Sequence, residues 1–399
     1  MWSRIAVVPV LLLALGALPS HHSSTQGAVA APRVTCEKAP RLGRGSAVPG
    51  GDLQTVDFMS ATVGVGLTAS AMACTSPKGQ TRTVPWPVRL ALSTDAGHTW
   101  AIEGALGPPG SRPGTWPAPP GQSPMPTNGF ASPAVLAFTS PRVGWAEVDG
   151  VLSRTADGGL SWQRANLGAP VAALADAGGS ILAVTWGTWQ LWRADSVSAA
   201  WQLVSAIPVA AKTTAAYIAL GPGPEEALVG TSRYGDAPLV LAETDNAGKR
   251  WARVADPCAV HAWLAATALA ESPGGTMAVL CLGGAAAGSA DHGFYVSGDR
   301  GLSWSERAAV TDLANIGHSG LPLQDTAEVL AAPTAERFYI ETENEFSVSV
   351  DGGRHWRPVS GVGHGNGLFG IDFVGPGDGW AFAGGSLLAT PDGLDWAPA

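Results

Sequence analysis

Basic residues are scarce in this chain: 23 Lys and Arg against 32 Asp and Glu over 399 residues, for a net charge of −9. No basic stripe interleaved with aromatics occurs, which argues against a nucleic-acid surface. Cysteine is nearly absent at 4 residues. None of them forms a C-x-x-C pair, so a zinc site built on cysteine is a poor reading. No G-x-S-x-G elbow is present, and serine-nucleophile chemistry of that type has no support. Past the N-terminus no apolar run approaches a membrane span. No stretch holds a 3.6-residue apolar period long enough for a substantial helix, which leaves strands and turns.

What is abundant fits strands and turns. The chain holds 52 glycines, 31 prolines and 16 tryptophans. Many of these fall in one phrase, Ser/Thr-x-Asp-x-Gly-x-x-Trp, with clear copies at Ser93–Trp100, Thr155–Trp162, Ser297–Trp304 and Ser349–Trp356. A fifth, Thr244–Trp251, has Asn246 where the others have Asp, with Gly248 and Trp251 in register. Two are worn: Asp195 to Trp201 carries an extra residue, and Thr390–Trp396, with Asp392, has lost one. The phrase tryptophans fall at 100, 162, 201, 251, 304, 356 and 396. A period near fifty matches one four-stranded propeller blade, and seven units lie within the usual blade number. Short apolar runs recur in the same order around each phrase, as in residues 134–138, 143–148 and 151–154, separated by turn formers. These spacings predict an all-β, seven-bladed propeller over residues 51–399, with the phrase bridging the third and fourth strands of each blade.

The phrase has a physical logic. A short Asp or Asn side chain accepts hydrogen bonds from nearby backbone N–H groups and closes the turn from inside. Gly97, Gly159, Gly301 and Gly353 supply a position of expected positive φ. The tryptophan that follows starts the outer strand and offers a large face for packing between strands or blades.

On these residues the chain resembles the Asp-box, or bacterial neuraminidase, repeat proteins. The longer phrase Val143-Gly-Trp145 through Trp162, with Gly379-Trp380 at the same distance before Asp392, is similar to the branch that holds photosystem II assembly and stability factors. The resemblance covers roughly residues 50 to 399 and implies fold more than function, because Asp-boxes also occur in sialidases, xyloglucanases and sorting receptors. It implies that Asp95, Asp157, Asp299, Asp351 and Asp392 are structural, at a rim away from any binding site. It also frames the enzyme alternative. Sialidases use a tyrosine activated by glutamate, and Tyr339 and Glu341 alternate along one run and would share a strand face. The rest of that apparatus is missing: Arg41-Leu42-Gly43 lacks the proline of the family's first-blade phrase, and nothing selects three arginines from Arg82, Arg89, Arg142, Arg233 and Arg337. A xyloglucanase cleft lies between two propellers, and only one is present here.

The N-terminus reads as a targeting segment. Arg4 precedes the apolar run of residues 5–18, and cleavage after Ser20 or Ala30 gives residues 1–30 as a secretory signal; an uncleaved anchor is the alternative. Residues 31–50 are an N-terminal segment expected to complete the ring closure against the last blade. In an exported chain four cysteines suggest two disulfides, with three connectivities open. Parallel placement in two repeat units favours Cys36–Cys74 and Cys258–Cys281.

Function is expected on loops held by the rigid blades, on the face opposite the Asp-boxes. The largest is the Pro-rich stretch 107–133 around Trp116; another, residues 75–87, brings Lys78, Arg82 and Trp86 near the first blade. His292, His318 and His364 sit in further Gly-rich stretches, with no spacing that defines a metal site. The sequence therefore reads as a secreted, non-enzymatic propeller that binds a protein or glycan partner, with no cofactor implied. A sialidase-type glycoside hydrolase is the alternative.

Overall fold

The computed structural model describes residues 35–36, 47, 53–68, 71–75, 81–85, 88–106, 136–148, 151–177, 180–185, 187–196, 199–207, 215–220, 227–233, 237–246, 249–259, 265–286, 289–310, 320–322, 327–342, 345–359, 368–383 and 386–399. Among these the strands form seven open, four-stranded antiparallel sheets that follow one another along the chain, and one three-stranded sheet. The first comprises Leu53–Phe58, Gly64–Thr68, Val88–Ser93 and Ala101–Leu106, and the seventh Leu368–Phe373, Gly379–Ala383, Ser386–Thr390 and Ala397–Pro398. Each four-stranded sheet keeps its strands in chain order from one edge to the other. Connections between first and second strands therefore lie at the same end as those between third and fourth, and the remaining connections lie at the other end.

The apolar core sits between sheets rather than within any one. Leu67 and Leu90 of the first sheet pack with Phe138 and Ala146 of the second. Trp145 and Leu152 of the second pack with Leu174 and Ile181 of the third. Leu241 of the fourth meets Met277 and Val279 of the fifth. Phe294 of the fifth meets Phe338 and Ile340 of the sixth, and Tyr339 of the sixth meets Leu388 and Trp396 of the seventh. Finally Phe58 and Trp100 of the first sheet pack with Trp380 and Leu387 of the seventh. The phrase tryptophans make most of these junctions, each turned toward the preceding sheet. Trp201 packs edge-on to Trp145 at 4.8 Å, Trp356 edge-on to Phe294 at 5.0 Å, and Trp396 edge-on to Tyr339 at 6.0 Å. Trp251 donates its indole N–H to Ser205 Oγ at 2.6 Å, joining fourth sheet to third. Such aromatic pairs add about 0.5–1.5 kcal/mol each beyond their area burial.

Two features depart from the expected organisation. The stretch 75–87 is not simply a loop: Ala71–Thr75 and Thr81–Pro85 pair as a hairpin between the second and third strands of the first sheet, and Thr35–Cys36 adds a third strand to it. The β-branched alternation Thr81-Arg-Thr-Val84 is the signal that supports a strand there. The described bridge from residue 47 also goes elsewhere than expected. Ala47 pairs with Ala101, in the outer strand of the first sheet, rather than with the seventh.

Candidate functional site

The repeat turns come first, because they hold most of the acidic side chains nominated from sequence. In the first, Ser93 Oγ accepts the N–H of Gly97 at 2.9 Å and donates to Asp95 Oδ1 at 2.9 Å. Asp95 then accepts the Thr99 N–H at 2.9 Å and the Thr99 hydroxyl at 2.6 Å. The same pattern joins Thr155, Asp157, Gly159 and Ser161, and again Ser297, Asp299, Gly301 and Ser303. In the sixth sheet Asp351 accepts the His355 N–H at 3.0 Å and meets His355 Nδ1 at 2.6 Å. Asn246 keeps the backbone bond, from Arg250 N–H at 2.8 Å; Gly248 lies outside the described residues. The shortened seventh turn still works, with Gly393 N–H on Thr390 Oγ1 and the N–H groups of Leu394 and Asp395 on Asp392 Oδ1.

These bonds fix the protonation state. The Ser161 hydroxyl, with the Ser161 N–H and the Thr155 hydroxyl, holds Asp157 down at about 2. Desolvation pushes Asp351 up, but the backbone and side chain of His355 and the Ser349 hydroxyl outweigh it and hold the carboxyl at about 2. Asp95 and Asp299 are lowered chiefly by the hydroxyls of Thr99 and Ser303. Each carboxylate is thus spent inside its own turn. A group of three or more His, Cys, Asp or Glu able to hold a metal does not occur among the described residues.

Glycine serves the same turns twice. Gly97, Gly159, Gly301, Gly353 and Gly393 all have positive φ, and a Cβ on each would press on the preceding sheet: on Leu387, Leu90, Val254, Phe294 and Tyr339 respectively. The residue before it is also left-handed in four turns, at Ala96, Gly158, Arg300 and Gly352. Sequence reasoning missed that second position, although glycine at 158 and 352 marked it.

The enzyme candidates are consumed by the core. Tyr339 is 0 % exposed, its hydroxyl donates to the Gly393 carbonyl, and its ring stacks on Phe346 and Phe373. Burial pushes its pKa up to about 12, partly offset by Arg337, so a nucleophilic phenolate is disfavoured. Glu341, on the same strand, is also 0 % exposed. The three arginines whose side chains are described, Arg89, Arg142 and Arg337, do not lie at one end. Arg337 donates to the carbonyls of Pro376 and Asp392 at 2.9 and 2.7 Å. Arg337 and the exposed Arg142 both flank first-to-second-strand connections, at the repeat-turn end. Arg89 lies near the opposite end of its strand, and the side chains of Arg82 and Arg233 lie outside those described.

The loop end is described in part. Trp86, Trp116, His318 and His364 lie outside the described residues. His292 is not on a loop: it sits in the strand Ser289–Ser297, 1 % exposed, with Nδ1 2.8 Å from the Pro322 carbonyl. Paired across the sheet with Leu282 and Val310, it is a buried strand histidine. Cys258 and Cys281 are bonded and buried, tying the connection after the fourth sheet to the second strand of the fifth. Cys36 and Cys74 are direct partners in the antiparallel register, though their side chains lie outside those described. No helix among the described residues is long and apolar enough to cross a membrane.

Comparison with known proteins gives no matching family model and no matching curated protein. Solved structures do match. A structure of YCF48 bound to D1 peptide superposes with a TM-score of 0.54 at 14% identity, covering 88% of this chain and 97% of that one. An ancestral GH74 enzyme also gives 0.54 at 14% identity, covering 89% of this chain but only 46% of the enzyme. At this identity the likeness establishes an all-β propeller fold and nothing about activity.

Proposed function

We propose that this chain is a secreted, seven-bladed propeller of the Asp-box type that binds a protein or glycan partner through its loop end and performs no catalysis. Seven stacked sheets and seven phrase tryptophans support the blade count. The observation that carries the binding reading is the fate of Tyr339 and Glu341: both are fully buried, out of reach of a substrate. The repeat-turn end is occupied by self-satisfied turns. The opposite end carries the long connections, including residues 107–135 and the hairpin Ala71–Pro85 with its N-terminal strand. Loops held on a rigid scaffold are where binding concentrates. The propeller seen with D1 peptide lends weight to a peptide-like partner. Residues 1–30 are the secretory signal in this reading, and the Cys258–Cys281 bond suits an oxidising compartment.

The test has two arms. The purified mature chain is assayed on fluorogenic glycosides including a sialoside, and on arrayed peptides and glycans. No turnover, with array binding that is lost when residues 107–133 are replaced by a short Gly-Ser linker, is the expected result. Turnover abolished by Tyr339→Phe or Glu341→Gln overturns the proposal in favour of a sialidase-type hydrolase.

A further inference from the structure

The fourth strand of each four-stranded sheet leaves one edge without a strand partner among the described residues. Bare edges invite pairing with another chain, and proteins blunt them by shortness, charge or proline. Six of the seven fourth strands carry such a device. Gln163–Arg164, Ala252–Arg253, Arg357–Pro358 and Ala397–Pro398 are two residues long, and each holds an arginine or a proline. Ala101–Leu106 carries Glu103 and is met by Ala47, and Ser305–Val310 carries Glu306 and Arg307. The three-stranded sheet is blunted likewise, by the two-residue Thr35–Cys36 on one side and by Arg82 and Pro85 on the other. The exception is Gln202–Ala206 of the third sheet, five residues with neither charge nor proline.

The strand ladders show the same contrast at one position. All three long fourth strands bulge there, one residue lying between the partners of two consecutive third-strand residues. The extra residue follows its phrase tryptophan by three places: Glu103 after Trp100, Val204 after Trp201 and Arg307 after Trp304. It is charged in the first and fifth sheets and valine in the third. Beside it Leu203 is 50 % exposed, and Gln202 and Ala206 are exposed as well. The surrounding stretch, residues 196–224, contains a single charged residue, Lys212.

We infer that Gln202–Ala206 is the contact through which two copies of this chain pair, antiparallel and edge to edge. A second copy fits this edge better than a foreign strand does. Two identical antiparallel strands obey two-fold symmetry, so one surface serves both partners. Centred on Val204, the pairing sets Val204 against Val204, Leu203 against Ser205 and Gln202 against Ala206, with no charges opposed. The same operation on Ala101–Leu106 would bring two copies of Glu103 side by side, which is unfavourable. A molecule with a net charge of −9 repels its copy, and an uncharged edge is where the approach costs least. A partner recognised by charge finds no group to meet on this strand. The pairing also consumes the one unblunted outer edge of each chain, so assembly stops at two. A five-residue edge buries less than the roughly 1,200–2,000 Å² of a stable interface, which makes the dimer weak and concentration-dependent.

Sedimentation velocity of the full mature chain, over a range of protein concentrations and in about 0.05 and 0.5 M salt, is the first measurement. A monomer–dimer equilibrium is expected, shifted toward dimer at high salt, where the net repulsion is screened. Val204→Glu and Val204→Arg install the residues that the first and fifth sheets carry at this bulge, and Leu203→Lys places a charge at a half-exposed site. Each should weaken the dimer about tenfold or more while melting as cooperatively as the native chain. The second measurement is amide exchange of residues 202–206, which should slow several-fold as the native protein is concentrated and not in Val204→Arg. A native chain that stays monomeric, or amides whose exchange ignores concentration, overturns the inference and leaves the edge to a foreign strand. A dimer that none of the three variants weakens overturns it too, as does growth beyond two copies.

Discussion

At the scale of single residues, the repeat turn separates two glycines that look alike on paper. Gly352 and Gly353 both have positive φ, at 73° and 86°. Gly352 faces the carboxylate of Glu336, a flexible neighbour, and its counterparts in other turns are Ala96 and Arg300, which tolerate the same backbone. Gly353 faces the ring of Phe294, with a Cβ position only 2.2 Å from Cε1. Left-handed backbone costs an L residue roughly 1–2 kcal/mol, and overpacking adds roughly 1–3 more. Gly353→Ala should therefore destabilise by about 2–5 kcal/mol and Gly352→Ala by about 1–2, measured by denaturant unfolding of each variant. Equal losses would show that the junction between fifth and sixth sheets is not set by this close approach. The positive φ at Gly353 was readable in the phrase; its contact with the sheet before was not, because Phe294 lies far away in sequence.

Elements were legible where their pattern repeated and obscure where it did not. The strands Val143–Val148 and Val151–Thr155 fall where the apolar runs placed them. The hairpin of Ala71–Thr75 and Thr81–Pro85 was hidden because its prolines and lysine read as loop, and because its third strand, Thr35–Cys36, is separated from it in sequence by the first two strands of the first sheet. Tyr339 misled for a related reason: period-two alternation places Tyr339 and Glu341 on one face but says nothing of what that face meets. It meets the seventh sheet. At this scale the disulfide is the element to test. Cys258 and Cys281 are 23 residues apart, and closing a loop of that size stabilises by about 3 kcal/mol in the chain-entropy account. The Cys258→Ala/Cys281→Ala double variant should lose about that much in reversible unfolding. A loss under about 1 kcal/mol would mean the connection is held by its other contacts, among them Asp256 Oδ1 on the Cys258 N–H.

For the whole molecule, the question is what secures the first sheet. Its inner face is locked to the seventh by Phe58, Trp100 and Trp380. Its outer edge, the strand Ala101–Leu106, is met by Ala47, and its inserted hairpin by Thr35–Cys36. Thr35 and Ala47 thus make two separate contacts, one with the inserted hairpin and one with the outer strand of the first sheet. An exposed strand edge is a liability for aggregation, and covering it is a common remedy. Removing residues 31–50 should therefore lower the melting temperature by several degrees and raise aggregation on heating. The deletion also strips Cys36 from Cys74, so Cys74→Ser in the otherwise full mature chain is the necessary companion. If the companion alone reproduces the whole loss, the segment acts through the cysteine pairing. A larger loss in the deletion assigns the difference to the edge contact at Ala101. A deletion as stable as the native chain would remove residues 31–50 from any account of how the ring is held.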